Sequence, residues 1–317
     1  MAQNLPANEV LETGLRVIGF EQHRIDSVNE KKNLSRFRTH YASSPIVLSI
    51  VWDMLLTSEN EDASVLPDVA NFQHFLMAVN FLACYPTENE GEARFGVSDK
   101  TYRKWNWFYV KKLAALKPEV IVWPNAWNNP NNQHDPNTET TFIISVDGVH
   151  CMIQEPTLDS FSENKQYYSH KFKKPAFDYE VALSIFTNKC VWIAGPYPAS
   201  KHDISIFRSS LKGHMEQNSP GKLAIGDKGY RGEPALISTP SSHDNQDLRD
   251  FKGRAMSRQE TFNCRLKNFA VMDVRFRHGH DRATVDDTAV KHQACFFACA
   301  VLVQVDMDNG GPLFYVA

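Results

Sequence analysis

Two apolar segments in the second half of the chain each run directly into an aspartate beside a glycine. Residues 141–148 read TFIISVDG, and residues 223–227 read LAIGD. Short apolar runs that end at a glycine predict buried strands. Because an unpaired carboxylate is costly at the edge of an apolar sheet, Asp147 and Asp227 must be paired there or hold a cation.

A third acid, Glu260, falls on a predicted helix that follows these strands. Three carboxylates that meet at one end of a sheet suit Mg²⁺ or Mn²⁺. Two such ions would activate a water or a 3′-hydroxyl and stabilise the leaving oxygen of a phosphodiester. The alternative is structural, because an aspartate before glycine is often a turn residue and a chain with 37 acids offers many such triples. Spacing alone leaves both interpretations open.

The helix that carries Glu260 is basic. Asn263 and Lys267 share a helical face with Glu260, at steps of three and seven residues. This places a cation near a phosphate bound at the metals, so Lys267 is predicted to support the site. Arg258 and Arg265 on the same segment are predicted to contact DNA. A solvated basic helix face is the alternative for these residues.

The order of elements predicts an α/β domain over residues 141–305. Strands come first, and helices then alternate with strands, which is typical of a mixed sheet covered by helices. Residues 124–140 are rich in Asn and Pro and predict a linker. Residues 1–43 are polar and weakly periodic and predict an extended or partly helical arm. The remaining segments are a helical module, 44–123, and a tail, 306–317.

Residues 88–116 predict a helix, a short turn at Gly96 and Val97, and a second helix capped by Ser98. One face of the second helix is apolar: Tyr102, Trp105, Tyr109, Leu113 and Leu116. Basic residues fall largely off that face: Lys100, Arg103, Lys104 and Lys111. The pattern fits a DNA-binding helix-turn-helix. It fits an amphipathic surface helix with a solvated basic side equally well.

The formal net charge of −3 hides two basic zones. Residues 91–120 carry seven Lys/Arg and three acids, and residues 252–282 carry eight and three. Local charge of this kind favours double-stranded DNA as a partner. The N-terminus lacks the features of a secretory signal, and no apolar run reaches the length of a bilayer span. The six cysteines form no CxxC pair, which favours reduced thiols in an intracellular protein.

Several blocks, in this order, resemble the catalytic blocks of Harbinger-type DDE transposases and their domesticated relatives: SVDGVH, PASKHDISIF, AIGDKGYRGEP and RQETFNCRLKNF. The resemblance implies a ribonuclease H-like fold and a metal-dependent triad at Asp147, Asp227 and Glu260. His202 and Asp203 match a recurrent block and are expected to support the site. The alternative for this pair is a helix N-cap, with Asp203 starting the helix.

The resemblance also implies a nuclear location and, in some relatives, a separate Myb-like DNA-binding partner. A homo-oligomer is a further expectation. We therefore expect a transposase that cuts DNA at element ends and joins 3′-hydroxyls to target DNA. Two alternatives stay open: a domesticated DNA-binding or adaptor protein that does not transpose, and a general nuclease of the same fold.

Overall fold

The computed structural model describes residues 5–127, 141–156, 165–278 and 285–316. The chain divides into two compact units. The helical unit comprises residues 1–120, 265–274 and 291–311, and the sheet unit comprises residues 121–264, 275–290 and 312–317.

The first part of the helical unit consists of helices α1 (Ala7–Val17), α2 (Gln22–Asp26), α3 (Glu30–Tyr41), α4 (Pro45–Thr57), α5 (Glu61–Ser64), α6 (Phe72–Cys84), α7 (Glu88–Phe95), α8 (Asp99–Ala115) and α9 (Lys117–Val120). The start of α4 follows from its local sequence. Pro45 occupies the first turn, and Ser44 Oγ accepts a hydrogen bond from the Val47 N–H.

The two units divide the chain differently from the predicted segments. Helices α1 to α3 occupy most of the predicted arm 1–43 and bury Leu15, Phe37 and Tyr41. Only a few large apolar residues of this segment are buried. The helical periodicity of apolar residues over 1–43 is therefore weak in the sequence. At the other end of the chain, residues 291–311 group with the helical unit although they follow the sheet. Residues 128–140 of the predicted linker lie outside the described residues.

Helices α7 and α8 form the predicted helix, turn and helix. Gly96 ends α7 in the left-handed conformation, with φ of 64°, which glycine adopts without steric cost. Ser98 caps α8 by accepting a hydrogen bond from the Thr101 N–H at 3.2 Å. The apolar face of α8 is buried as predicted. The basic residues of α8 therefore point away from the core.

The sheet unit contains a mixed sheet, as the order of elements predicts. Its strands are β1 (Phe142–Met152), β2 (Tyr168–Ser169), β3 (Lys174–Ser184), β4 (Cys190–Pro198), β5 (Leu223–Ile225) and β6 (Ile237–Ser238). The main order is β4-β3-β1-β5-β6, and β2 pairs with the start of β3. β3 pairs antiparallel with β1 and β4, whereas β1, β5 and β6 are parallel to one another.

β1 does not end at Asp147, as the sequence had predicted. It continues to Met152, and Asp147 lies opposite Val181 in the middle of its pairing with β3. The strand continues because Val149 and Cys151 keep it buried beyond the acid. Only the parallel pairing with β5 stops earlier, at Ser145. Asp147 therefore lies where the β5 side of β1 becomes free.

Helices cover both faces of the sheet. On one face, α10 (Asp203–Ser209) and α11 (Leu211–Asn218) pack Phe207, Leu211 and Met215 against the strands. On the other, α12 (Gln246–Lys267) packs Phe251 and Ala255 near Phe142. Because side chains alternate along a strand, neighbouring residues of β1 face different helices.

Two further helices follow, α13 (Ala270–Asp273) and α14 (Val285–Asp308). Among the described residues, α14 is the one helix that is long and apolar enough to cross a membrane. Within the protein, 61% of its most apolar window is buried. Cys295 and Cys299 on this helix are free thiols in the core, as predicted.

Candidate active site

Asp147 faces α12. Asn263 Nδ2 donates a hydrogen bond to Asp147 Oδ2 at 2.9 Å. Two residues earlier on the same face of β1, Ser145 Oγ donates to Gln259 Oε1 at 2.8 Å. Both bonds are buried or partly buried, and they hold α12 against β1 on either side of Glu260. The position of Glu260 beside Asp147 therefore follows from the way in which the helix is anchored.

Asp147 is electrostatically coupled to both other predicted acids. Burial, followed by the negative charges of Glu260 and Asp227, raises the pKa of Asp147 to about 7. The Gly148 N–H and the charge of Lys171 act in the opposite direction. The structure thus brings the three acids, which are far apart in the sequence, into one electrostatic site.

Asp227 and Glu260 are exposed, whereas Asp147 is mostly buried. Asp227 follows β5 and precedes a 3₁₀ turn, Lys228–Tyr230. Its Oδ1 accepts a hydrogen bond from the Gly229 N–H at 2.7 Å. Asp227 therefore does serve as a turn residue, but the turn needs only one of its two oxygens.

Asp203 lies beside Asp227. A Cβ placed on Gly229 would overlap Asp203 Oδ2 and would lie 2.9 Å from Asp227 Oδ1. The alternative role of Asp203 at a helix start is confirmed in part, because Asp203 starts α10 but does not occupy the N-cap position. His202 holds the cap position without a side-chain capping bond, and Asp203 is the first helical residue of α10. Burial, followed by the charges of Asp178 and Asp227, raises the pKa of Asp203 to about 6.

Two buried acids on β3, Asp178 and Glu180, escaped the sequence analysis. Glu180 accepts hydrogen bonds from Ser210 Oγ at 2.5 Å and Trp192 Nε1 at 3.3 Å, and burial raises its pKa to about 7. Asp178 has no hydrogen-bond partner for either oxygen among the described residues. His150 Nε2 lies 3.4 Å from its Oδ2. Two acids at alternate positions of an apolar strand, in FDYEVALS, were the signal for this pair.

The donors of this site suit a hard divalent cation, because all three predicted acids offer carboxylate oxygens. Within the described ranges, no group of three or more His, Cys, Asp or Glu side chains is arranged so that it could hold a metal ion. Mg²⁺ is usually held by only one or two carboxylates together with waters and substrate phosphates. A cation would also offset the repulsion that raises the pKa of Asp147. The residues therefore fit Mg²⁺ or Mn²⁺ in an open site.

Residues 146–304 match the family model for DDE superfamily endonucleases, which covers half of the chain. The chain belongs to this DDE endonuclease family. No curated protein and no solved structure matches it. The matched span contains Asp147, Asp203, Asp227 and Glu260.

One predicted DNA contact of this DDE endonuclease is corrected by the structure. Arg258 is only 3% exposed, and its guanidinium donates to the backbone carbonyls of Ser184 and Thr187. It therefore fastens α12 to the end of β3 and the β3–β4 turn, and no phosphate can reach it from solvent. Helical periodicity explains this outcome, because Arg258 lies on the buried side of α12 beside Gln259.

We expect Arg258→Ala to lower the free energy of unfolding by about 3 kcal/mol, because two inward-facing carbonyls lose their donor. Urea unfolding of the purified protein measures this loss. Arg254→Ala is the matched control, since Arg254 is exposed and its guanidinium makes a single bond to the Tyr315 carbonyl at 2.9 Å. Equal stability losses in the two variants would contradict the structural role of Arg258.

The other predicted basic residues lie in the helical unit. Arg265 donates a hydrogen bond to the Gly311 carbonyl and lies 3.8 Å from Asp306. Its charge is therefore partly neutralised within the helical unit. Lys267 is the last residue of α12, and its supporting role stays a prediction. The basic residues of α8 are exposed: Lys100, Arg103, Lys104 and Lys111. Of these, Arg103 is ion-paired with Glu88 and Asp99.

Proposed function

We propose that this chain is a metal-dependent DNA endonuclease and transposase of the Harbinger type, with Asp147, Asp227 and Glu260 as its metal ligands. The observation that carries the proposal is the electrostatic coupling of Asp147 to the other two acids. The family match supports it, because the matched span contains all three. Cleavage at element ends and transfer of the resulting 3′-hydroxyl to target DNA are part of the proposal.

A ribonuclease H-like fold belongs to the same proposal. The strand order supports it: three antiparallel strands, β1, β3 and β4, are followed by two parallel strands, β5 and β6. Asp147 lies on the central strand, and Asp227 follows the strand next to it. Glu260 comes from the helix that covers this part of the sheet. Three separate elements thus supply one acid each.

Bound Mg²⁺ or Mn²⁺ would supply an activated water or 3′-hydroxyl and charge stabilisation for the leaving oxygen. The side chains of the site prepare this chemistry in different ways. Asn263 fixes Asp147 through Oδ2. Asp227 keeps one oxygen free of the turn bond to Gly229, and Glu260 reaches the site from solvent. Asp147, Asp227 and Glu260 are the residues that would hold the metal.

Nicking of supercoiled plasmid tests the proposal directly. We expect the purified wild-type chain to nick the plasmid with Mn²⁺ or Mg²⁺ and to stop when EDTA is added. Glu260→Gln should lose on the order of a hundred-fold or more in rate, because a ligand of the reacting centre becomes neutral. Glu216→Gln, an exposed acid on α11, is the control. A wild-type protein that cleaves no DNA with either metal would overturn the nuclease proposal.

The helical unit is proposed to bind duplex DNA through α7 and α8 as a helix-turn-helix. The exposed charges of Lys100, Lys104 and Lys111 on one helix support this role. Lys104 also lies over the Trp105 ring, with its Nζ 4.9 Å from the ring centroid. Contacts of this basic face with phosphates would position the DNA, whereas sequence would be recognised by contacts with base edges.

Replacing Lys100, Arg103 and Lys104 together with alanine should weaken duplex binding and flatten its salt dependence. Each lost phosphate contact reduces the slope of log K against log salt by about 0.9. Fluorescence anisotropy at several salt concentrations measures both quantities. Lys31→Ala with Lys32→Ala is the control, since these lysines are exposed on α3. If the triple variant keeps the wild-type slope, the basic side of α8 is a solvated face.

A second candidate is a domesticated DNA-binding or adaptor protein that retains the fold without transposing. Within the described residues, no group of three or more His, Cys, Asp or Glu side chains could hold a metal ion. This observation favours the second candidate. DNA binding that persists without any metal-dependent nicking would select this candidate. A Myb-like partner, a homo-oligomer and a nuclear location remain proposals for either candidate.

A further inference from the structure

We infer that Asp203 is a fourth metal ligand of this site, sharing a divalent cation with Asp227. The inference rests on the proposed metal-dependent function and extends its ligand set. It starts from a place where two carboxylates face each other across a glycine.

That glycine is Gly229, in the turn after β5. A side chain there would overlap Asp203 Oδ2 and would lie 2.9 Å from Asp227 Oδ1. The two oxygens are therefore neighbours on the same side of the glycine. Asp203 comes from the first turn of α10, on the face of the sheet opposite α12. A cation at Asp227 is thus approached by Asp147 from one face and by Asp203 from the other.

Asp178 provides an independent observation that points to a cation. Its side chain is fully buried, and neither of its oxygens accepts a hydrogen bond in the described part of the chain. A Cβ placed on Gly148 would lie 3.1 and 3.3 Å from the two Asp178 oxygens and 3.3 Å from Asp203 Oδ1. Each oxygen of Asp203 therefore faces a different carboxylate.

Such an arrangement is costly unless positive charge offsets it, because buried carboxylates repel one another. His150 contributes positive charge only when it is protonated. A divalent cation bound by Asp203 Oδ2 and an oxygen of Asp227 would offset the repulsion at neutral pH. Two carboxylates completed by waters are a usual ligand set for Mg²⁺.

The test is a Mn²⁺ titration of the metal-free full chain, followed by electron paramagnetic resonance of the free ion. We expect Asp203→Asn to weaken the tightest Mn²⁺ site at least about tenfold, as is typical when a group around a metal is removed. The rise in melting temperature with Mn²⁺ should shrink in parallel. Asp247→Asn, an exposed acid on α12, is the control and should bind Mn²⁺ as the wild type does.

Gly229→Ala is a second variant that keeps every charge. Its methyl group would occupy the space beside Asp203 Oδ2, so we expect Mn²⁺ affinity to fall here as well. It also keeps the inference testable if Asp203→Asn fails to fold. Wild-type Mn²⁺ affinity in a folded Asp203→Asn protein, or in Gly229→Ala if only that variant folds, would overturn the inference.

The nicking assay separates this inference from the nuclease proposal. If the wild type binds Mn²⁺ in an Asp203-dependent way but cleaves no DNA, the ligand assignment stands and the nuclease proposal fails. If Glu260→Gln abolishes nicking while Asp203→Asn keeps the wild-type Mn²⁺ affinity, the nuclease proposal stands and the fourth ligand is overturned.

Discussion

Asp227→Asn is expected to lose metal-dependent nicking, by on the order of a thousand-fold, while folding at least as stably as the wild type without metal. The loss follows because a neutral amide would hold the proposed cation less well than a carboxylate does. The stability is retained because the amide oxygen can still accept the Gly229 N–H bond at the turn. One negative charge also disappears beside two acids whose pKa values it raises.

Two measurements on the same protein decide this prediction. Nicking of supercoiled plasmid gives the rate, and melting curves with and without Mn²⁺ give the stabilisation by metal. The wild type should melt higher with Mn²⁺ by mass action, whereas the variant should respond weakly. Retained nicking would remove Asp227 from the site. A stability loss of about 1 kcal/mol with full activity would make it only a turn residue.

The stability of the metal-free protein is expected to fall as the pH rises from about 5.5 to 8. Asp147 has a folded-state pKa of about 7, against 3.8 for the free side chain, so the folded protein holds a proton that the unfolded chain releases. The contribution of the Asp147 proton to the free energy of unfolding is therefore fully present below pH 3.8 and is lost as the pH rises through 7. Between pH 5.5 and 7 the loss is about 2 kcal/mol from Asp147 alone. Glu180 and Asp203 change stability in the same direction.

Urea unfolding at several pH values measures this slope. Asp147→Asn should flatten it, because the amide carries no titrating proton. Saturating Mn²⁺ should also flatten it, since the cation takes the place of the proton at the same oxygens. Asp247→Asn should keep the wild-type slope. A metal-free wild type that is as stable at pH 8 as at pH 5.5 would contradict the crowding of acids around Asp147.

Local patterns predicted the elements well wherever they depend on local chemistry. The Ser44 and Ser98 caps, the end of α7 at Gly96 and the buried face of α8 all follow from neighbours in the sequence. The pairing of strands that are far apart in the sequence was predicted less well. β1 extends past Asp147 because β3 continues beside it, and no local signal at Asp147 reports that partner.

In the candidate site, too, features set by local sequence were predicted, whereas features set by long-range contacts were not. Asp147 and Asp227 were predicted because each follows an apolar run beside a glycine, and Glu260 was predicted because it lies on a basic helix. Arg258 was predicted to lie on the surface because it is charged. It can be buried because its guanidinium donates to three acceptors: the Ser184 and Thr187 carbonyls and the Asn188 side-chain oxygen. Asp178 was missed because its partner acid, Asp203, comes from a different element. Sequence pattern gave no measure of the distance between them.

The anchoring of α12 has a consequence for the entropy of assembling the site. Gln259 and Asn263 tie the helix to β1 on both sides of Glu260, and Gln259 also donates to the Val181 carbonyl on β3. The backbone of Glu260 is therefore already ordered before any ligand arrives. Only its side-chain rotamers remain to be fixed, at a cost of about 2 kcal/mol or less. An exposed carboxylate on an ordered helix backbone would thus need no rearrangement of the fold to bind the proposed cation.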